Sequence, residues 1–477
     1  MIKITFWGAA QEVTGSQHLL EVGGTRVLLD CGLYQGHRAD TYERNLSFAF
    51  KPQTLEGVLL SHAHIDHSGN LPNLVKRGFD GPIYTTAATA DLARIMLADS
   101  GRIHEHDVHY VNKIRARHGE VPVEPLYTEA DALACEHLFA GWGYHQWIPI
   151  APGVRAIFSD AGHILGSALS MIEIKEDSRV TRVLFTGDLG RPDRPILEDP
   201  ETVPGADYII MEGTYGDRYH EPMERSRDKL LEAMHHIRRS KGKLLIPAFS
   251  VGRTQHIVYS MHKLFLAQEL PPMPIYVDSP LSVNATDIFR THPEAYDREA
   301  YQMMLAEGDA FGFQRLTYVR SREESKALND QRGPMVIISA SGMCEGGRIL
   351  HHLIHSLGER RNLILFSGYQ APHTLGRRIL DGEKRVRVFG EPYKVRAQGR
   401  EISGFSAHAD RNGLLQWLEA STGERRPHIF LVHGDPDQLQ PLGAELQERG
   451  YEVTIPRRGD SFTLDGTGTL KGTGTLE

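Results

Sequence analysis

Cysteine is scarce in this chain: Cys31, Cys135 and Cys344 stand far apart among 477 residues, with no CxxC pair. An odd, sparse set excludes a disulfide framework and a cysteine-based zinc finger, and it points to a reducing compartment, expected to be the cytoplasm. Long apolar runs are absent too. No stretch approaches the ~20 residues that cross a bilayer, so no membrane partner is expected. The opening "MIKITFWGAAQEVTG" lacks the basic n-region and apolar h-region of a signal peptide and reads directly as a strand, the expectation for a soluble chain that stays where it is made. Positive charge is not in excess: 53 Lys and Arg against 61 Asp and Glu leave a net −8, which does not advertise a nucleic-acid binder. One stretch departs from that balance. Between Gly376 and Arg400, eight Lys and Arg face three Asp and Glu, which reads either as a charged, solvated sheet edge or as a local patch for an anionic ligand.

What is present is an ordinary globular composition, 40% hydrophobic and 24% charged, in a chain long enough for two or three domains. Residues 1 to about 205 are rich in short β-type runs such as "KITFWGA", "TRVLLD", "GVLLSH" and "RVLFTGD", interrupted by a polar helical segment from about 88 to 140. From about 206 to 375 the pattern changes to near-continuous apolar strands, "DYIIMEG", "KLLIPAF", "PIYVDS", "PMVIIS" and "NLILFS", most followed by helices. Such alternation predicts a parallel sheet covered on both faces. The mixed pattern resumes from 376 to about 465. Three consecutive units, or one domain inserted into another, both satisfy this pattern. The tail 466–477, with its repeated "GTGTL", is expected to be flexible.

Histidine, at 25 copies, is the unusual constituent. The stretch "GVLLSHAHIDHSGN" places His62, His64, Asp66 and His67 in the loop leaving an apolar strand, with a helix expected after Ser68. His62 and His64 can face one metal, and Asp66 and His67 a second a few ångströms away. Such nitrogen and carboxylate donors suit Zn²⁺, with Mn²⁺ or Fe²⁺ as alternatives. Completing two sites requires donors from elsewhere. His163 in "SDAGHILGSA", Asp188 in "VLFTGDLG" and His433 in "IFLVHGDP" each follow an apolar strand, although an Asp in that position is more often a turn residue or cap. Asp30 in "TRVLLDCG" reads equally as a turn cap or as a partner that holds a ligand histidine in its working tautomer.

In order and approximate spacing, "HAHIDH", His163, Asp188 and Asp30 match the signature of the metallo-β-lactamase superfamily. The remainder resembles its β-CASP nuclease branch, which includes the nuclease subunit of the pre-mRNA cleavage machinery and its prokaryotic homologues. Glu212 in "IIMEGTYGDR", His408 in "SGFSAHAD" and His433 in "LVHGDP" match that branch, as do "IPAFSVGRTQ", "VDSPL", "SASGMCEGGR" and "SGYQAPHTLG". The resemblance spans residues 1 to about 462. It implies an α/β fold: a metallo-β-lactamase αβ/βα sandwich (1–205, resumed at 376–465) interrupted by an inserted parallel-sheet β-CASP domain (206–375).

The same resemblance implies a metal-dependent ribonuclease acting on single-stranded RNA. It assigns His62, His64, His163 and bridging Asp188 to one zinc, and Asp66, His67, Asp188 and His433 to the other. Hydroxide generated by the two zinc ions would attack phosphorus, leaving 5′-phosphate and 3′-hydroxyl ends. His408 is the candidate general acid, kept protonated and oriented by Glu212. In the branch, histidine at the position of His433 accompanies action on RNA, where DNA-repair members tend to carry valine. Ser406, Ser341 and Arg253, the last opening an expected helix, are candidate substrate contacts, and the basic 376–400 stretch gains a use in guiding the strand. Endonucleolytic and 5′-exonucleolytic action, and a homodimer as the assembly, stay open. The rival reading is a small-molecule metallohydrolase, a lactonase or glyoxalase-II-like thioesterase, which shares HxHxDH but needs neither the inserted domain nor the Glu212–His408 pair. A catalytically silent scaffold is disfavoured because every expected ligand is present.

Overall fold

The computed structural model describes residues 1–36, 38–176, 179–466 and 470–474. The chain divides into two units, the first built from 1–192, 199–219 and 408–477, the second from 193–198 and 220–407.

The first unit is organised by two mixed sheets. One runs, in spatial order, Leu470–Gly474, Ser461–Leu464, Ile2–Phe6, His18–Val22, Thr25–Leu29, Gly57–Leu59, Ile83–Thr86 and Phe139–Trp142. The other runs Val453–Thr454, His428–Val432, Tyr208–Glu212, Arg179–Phe185, Ala168–Glu176, Val154–Asp160 and Trp147–Ala151. Strand alternation explains how they pack, because successive side chains point to opposite faces. In His428–Val432, Phe430 and Val432 enter the core between the sheets with Ile4, Phe6, Phe158 and Phe185. Ile429 and Leu431 point the other way, against Leu414 and Leu418 of the helix Arg411–Thr422 and Leu439 and Leu442 of the helix Pro436–Glu448. The Phe6 ring lies 5.1 Å from that of Phe430, a contact that joins the two sheets.

Every strand of the second unit's main sheet is parallel to its neighbours, in the order Leu316–Tyr318, Ile275–Val277, Met335–Ser339, Lys243–Pro247, Leu363–Phe366 and Gln398–Glu401. The apolar runs "KLLIP" and "MVIIS" are almost wholly buried, as strands covered on both faces must be.

The unit boundaries differ from those expected at 206 and 375. Tyr208–Glu212 belongs to the first unit, parallel to both Arg179–Phe185 and His428–Val432; its unbroken apolar run is the same signal the second unit's strands carry. Residues 376–407 belong to the second unit, because Gln398–Glu401 adds a strand beside Leu363–Phe366. At the C-terminus, Leu470–Gly474 forms a strand on Ser461–Leu464 where a flexible end was expected, and 467–469 and 475–477 lie outside the described residues. No described helix is long and apolar enough to cross a membrane.

A buried ionic knot ties three elements of the second unit together. Asp278, just beyond Ile275–Val277 and fully buried, accepts from Arg348 Nη1 (2.6 Å), His352 Nε2 (2.6 Å) and Ser325 Oγ (2.5 Å). Burial alone would raise its carboxyl, but the bonds from His352, Ser325 and Arg348 outweigh it and hold the carboxyl below the ordinary range. A depressed carboxylate stabilises above its unfolded value of about 3.9 and loses that contribution as pH falls through its lower folded value. Asp278→Ala is expected to destabilise the second unit by about 3 kcal/mol, leaving His352 and Arg348 without their partner. The check is urea denaturation by far-ultraviolet circular dichroism, which should show a lower midpoint. Tryptophan emission, from Trp7, Trp142, Trp147 and Trp417 of the first unit, should move less.

Candidate metal centre

All but one of the side chains of the site sit just beyond or at the end of a strand of the first unit. His62 and His64 lie in the loop after Gly57–Leu59, and the chain turns into a short helix, Ile65–Ser68, that carries Asp66 and His67. The helix expected after Ser68 follows as Leu71–Lys76, and the short helix Ile65–Ser68 before it was not expected. His163 follows Val154–Asp160, Asp188 follows Arg179–Phe185, Glu212 closes Tyr208–Glu212, and His433 follows His428–Val432. The parallel register pairs Glu212 with Val432, so Glu212 and His433 emerge side by side. His408 arrives through a single antiparallel bridge to Gly190, two residues past Asp188.

The donors converge in two groups around Asp188. His64 Nδ1 lies 3.1 Å from His62 Nε2 and 3.2 Å from His163 Nε2, and Asp188 Oδ2 is 3.4 Å from both of those Nε2 atoms. On the other side, His67 Nε2 is 3.1 Å from His433 Nε2 and 3.2 Å from Asp188 Oδ1, and Asp66 Oδ2 is 3.6 Å from His433 Nε2. A third group faces the same carboxylate: His408 Nδ1 lies 3.1 Å from Glu212 Oε1 and 3.8 Å from Asp188 Oδ2.

The electrostatics follow from burial and these neighbours. Burial pushes His62 and His163 down from the ordinary imidazole range and His64 down to about 3, so all three are neutral donors. His67 is raised: burial opposes its charge, but Asp188 and Asp30 outweigh it. Asp188 would be raised by burial, yet the imidazoles of His433, His67, His408 and His62 hold it well below its usual range. Burial likewise lowers His408, and Glu212 and Asp188 overcome it to raise the ring to about 9.

These residues fit divalent cations. Both oxygens of Asp188 are buried and neither accepts a hydrogen bond. A buried carboxylate left that way is costly unless positive charge sits beside it. One oxygen faces His62 and His163, the other His67 and His433. His62, His64, His163 and Asp188 form one group that could hold an ion; Asp66, His67 and His433 form another.

Comparison with known proteins agrees with this geometry. Residues 11–248 match the metallo-β-lactamase superfamily, 254–379 the Beta-Casp domain, and 392–456 the Zn-dependent metallo-hydrolase RNA specificity domain. The chain is 37% identical to Ribonuclease TTHA0252 of Thermus thermophilus, over 97% of this chain and all of that protein. It is 31% identical to Transcription termination factor FttA of Methanocaldococcus jannaschii, over 91% of this chain and 67% of that one. A solved structure of a protein of unknown function from Enterococcus faecalis shares the fold, with TM-score 0.56 at 14% identity over 97% of this chain and all of that one. The chain belongs to the β-CASP branch of the metallo-β-lactamase superfamily.

In this β-CASP protein a layer of oxygens around the imidazoles sets which ring nitrogen is free. Asp30 Oδ2 accepts from His67 Nδ1 (2.6 Å) and Ser61 Oγ (3.0 Å), which leaves His67 Nε2 pointing at Asp188. Because the Ser61 hydroxyl proton goes to Asp30, His62 Nδ1 donates to Ser61 Oγ (3.0 Å) and its Nε2 is free. Thr214 repeats the device: its hydroxyl donates to the His433 carbonyl (3.0 Å) and accepts from His433 Nδ1 (3.0 Å). Sequence reading missed Ser61 and Thr214. Their signal was only adjacency, one residue before His62 and two after Glu212, and hydroxyls are common in such loops.

Ser341, Ser406 and Arg253, the expected substrate contacts, all belong to the second unit. Ser341 Oγ accepts from Glu345 N (3.0 Å), and the Ser406 amide donates to Ser403 O (3.3 Å), both local loop-forming bonds. Arg253 opens the helix Arg253–Leu266 as expected.

One glycine fixes the approach of the Asp66 turn. A methyl at Gly32 would lie 1.7 Å from the Asp66 carbonyl oxygen, whereas one at Gly24 meets nothing within 4 Å. Gly32→Ala is therefore expected to shift Asp66 and His67 and to lower the metal content of the purified protein by elemental analysis. Gly24→Ala should retain it.

Proposed function

We propose that this β-CASP protein is a metal-dependent ribonuclease that hydrolyses phosphodiester bonds of single-stranded RNA with two divalent cations, zinc by donor chemistry, and leaves 5′-phosphate and 3′-hydroxyl ends. The observation that carries the reading is Asp188, with each oxygen turned to a separate histidine group and the His408–Glu212 pair on a third side. His62, His64, His163 and Asp188 would hold one cation, and Asp66, His67, His433 and Asp188 the other. Bound there, the cations supply Lewis acidity towards water and the phosphoryl oxygens. The names of Ribonuclease TTHA0252 and the match to an RNA specificity domain support RNA as the substrate, as does histidine at position 433. Three free, buried cysteines support work in a reducing compartment, the cytoplasm.

His408 handles the other half of the reaction. A ribose 3′-oxygen is a poor leaving group as an alkoxide and departs readily as an alcohol. His408 Nδ1 donates to Glu212, which is itself anchored by the Leu189 amide (2.6 Å), so the ring is oriented with Nε2–H available to the departing oxygen. Its elevated pKa keeps that proton in place at neutral pH. A thioesterase, which expels a thiolate, has no comparable need for this pair.

Incubating 5′-labelled single-stranded RNA with the protein, with and without chelator, and mapping the product ends tests the reading. Metal-dependent cleavage with 5′-phosphate ends is expected. Turnover of thioesters or lactones without RNA cleavage would replace it with the small-molecule alternative. His408→Ala is expected to keep its metal and lose turnover ~10²–10⁴-fold. Asp188→Ala should lose metal itself, as elemental analysis would reveal.

A further inference from the structure

The second unit carries a feature that the hydrolytic cluster does not use. Arg385–Val388 and Glu391–Lys394 form a two-stranded antiparallel hairpin. Its alternation buries Val386 and Val388 and leaves Arg385 and Arg387 exposed. Register sets Arg385 directly opposite Lys394. Like charges opposed across an antiparallel pair destabilise it, so this pairing is unfavourable as the protein stands. Nearby acids do not relieve it: Asp381 is engaged by Arg377 and Glu383 by Arg378, and register sets Glu391 opposite Val388, on the other face of the hairpin. Among the described residues, Lys384, Arg385, Arg387, Lys394, Arg396 and Arg400 make no ion pair.

Lys394 also lines a groove of about 550 Å³ with Arg360, Lys384, Arg396 and Arg400, whose acid is the already engaged Glu383. The hairpin turn adds an aromatic. Phe389 and Gly390 both have positive φ, +50° and +83°, a two-residue turn in which the first position favours Asn or Asp. A phenylalanine held there is strained and gains nothing from burial, being 59% exposed. Its ring lies 5.0 Å from that of His351.

Resting on the ribonuclease reading, we propose that this hairpin and groove form a second RNA-binding site, in which the unpaired cations follow the phosphates of a single strand and Phe389 stacks on a base. Periodic cations bordered by one exposed aromatic are the combination that single-stranded nucleic acid recognises, since charge tracks the backbone and every base offers a face to stack. A folded partner protein would leave the like-charged ribbon needing carboxylates in fixed register, whereas a flexible polyanion adapts to it.

The test is fluorescence anisotropy of a labelled 20-nucleotide single-stranded RNA with the full chain in chelator, so that binding is read without cleavage, at several salt concentrations. The triple variant Arg385→Glu, Lys394→Glu, Arg396→Glu should lose at least tenfold in affinity. At ~0.7 per phosphate contact for a single strand, its salt slope should flatten by about 2. Lys394→Glu alone sets a carboxylate opposite Arg385, so it should fold as the parent does and still weaken binding. Phe389→Ala should lose roughly tenfold in affinity with the salt slope unchanged, as stacking predicts. Wild-type affinity and slope in the folded triple variant overturn the site, and wild-type affinity in Phe389→Ala removes the stacking assignment. If the parent binds RNA through these residues but cleaves none with any divalent metal, the site stands and the ribonuclease reading falls.

Discussion

A carboxylate with no hydrogen bond, sunk among imidazoles, is the constraint around which the first unit is arranged. Asp188 is about 1% exposed, and His62, His163, His67 and His433 approach its two oxygens at 3.2–3.4 Å. In a low-dielectric interior that negative charge is tolerable only beside positive charge. Neutral histidines supply lone pairs rather than charge, and burial keeps His62, His64 and His163 neutral. Around Asp188 Oδ2 the site therefore combines a buried anion with the uncharged nitrogen donors of His62, His64 and His163, which favours small cations of high charge over protons. Asp30, Ser61 and Thr214 serve the same end by fixing which nitrogen of each ring is free.

Sheet geometry explains how residues so far apart in sequence meet. Inside the strands every peptide group is spent on the ladder, and the first residue beyond a strand is free to aim its side chain. Parallel pairing of Arg179–Phe185, Tyr208–Glu212 and His428–Val432 brings three such exits to one edge. The chain can leave after Glu212 and return at His428 with a whole second unit in between, because the ladder between those two strands depends on neither the length nor the nature of that excursion. The bridge between His408 and Gly190 anchors the returning chain beside Asp188.

What could be read from the sequence divides along the same physical line. HAHIDH is local, so its spacing alone marks a candidate metal-binding loop, and His163, Asp188 and His433 are legible as candidate donors because each follows an apolar run. The layer behind them is not, since Ser61 and Thr214 act through where a hydroxyl proton goes, which depends on a neighbour remote in sequence or on backbone geometry. The unit boundaries were obscured for another reason: Tyr208–Glu212 is buried on both faces of the first unit's sheet, and such a strand has the composition of those in the parallel sheet of the second. The strand Gln398–Glu401, by contrast, is an edge strand of polar composition, and nothing in "QGRE" reveals which sheet it extends.

Net charge misleads about a polyanionic substrate, and screening shows why. At physiological ionic strength the Debye length is about 8 Å, so a phosphate responds to the groups nearest it and hardly at all to the chain's overall −8. Many of this protein's acids are paired locally with bases, as Asp381 and Glu383 are with Arg377 and Arg378. The charge left over on the hairpin is what a strand within a few ångströms would feel. At the metal centre the logic is reversed: the surplus there is negative, on Asp188, Asp66 and Glu212, and a phosphodiester could approach it only when cations intervene. An acidic protein can thus engage RNA at both places, through unpaired arginines and lysines in one and through divalent ions in the other, and the second attraction alone should vanish with the metal.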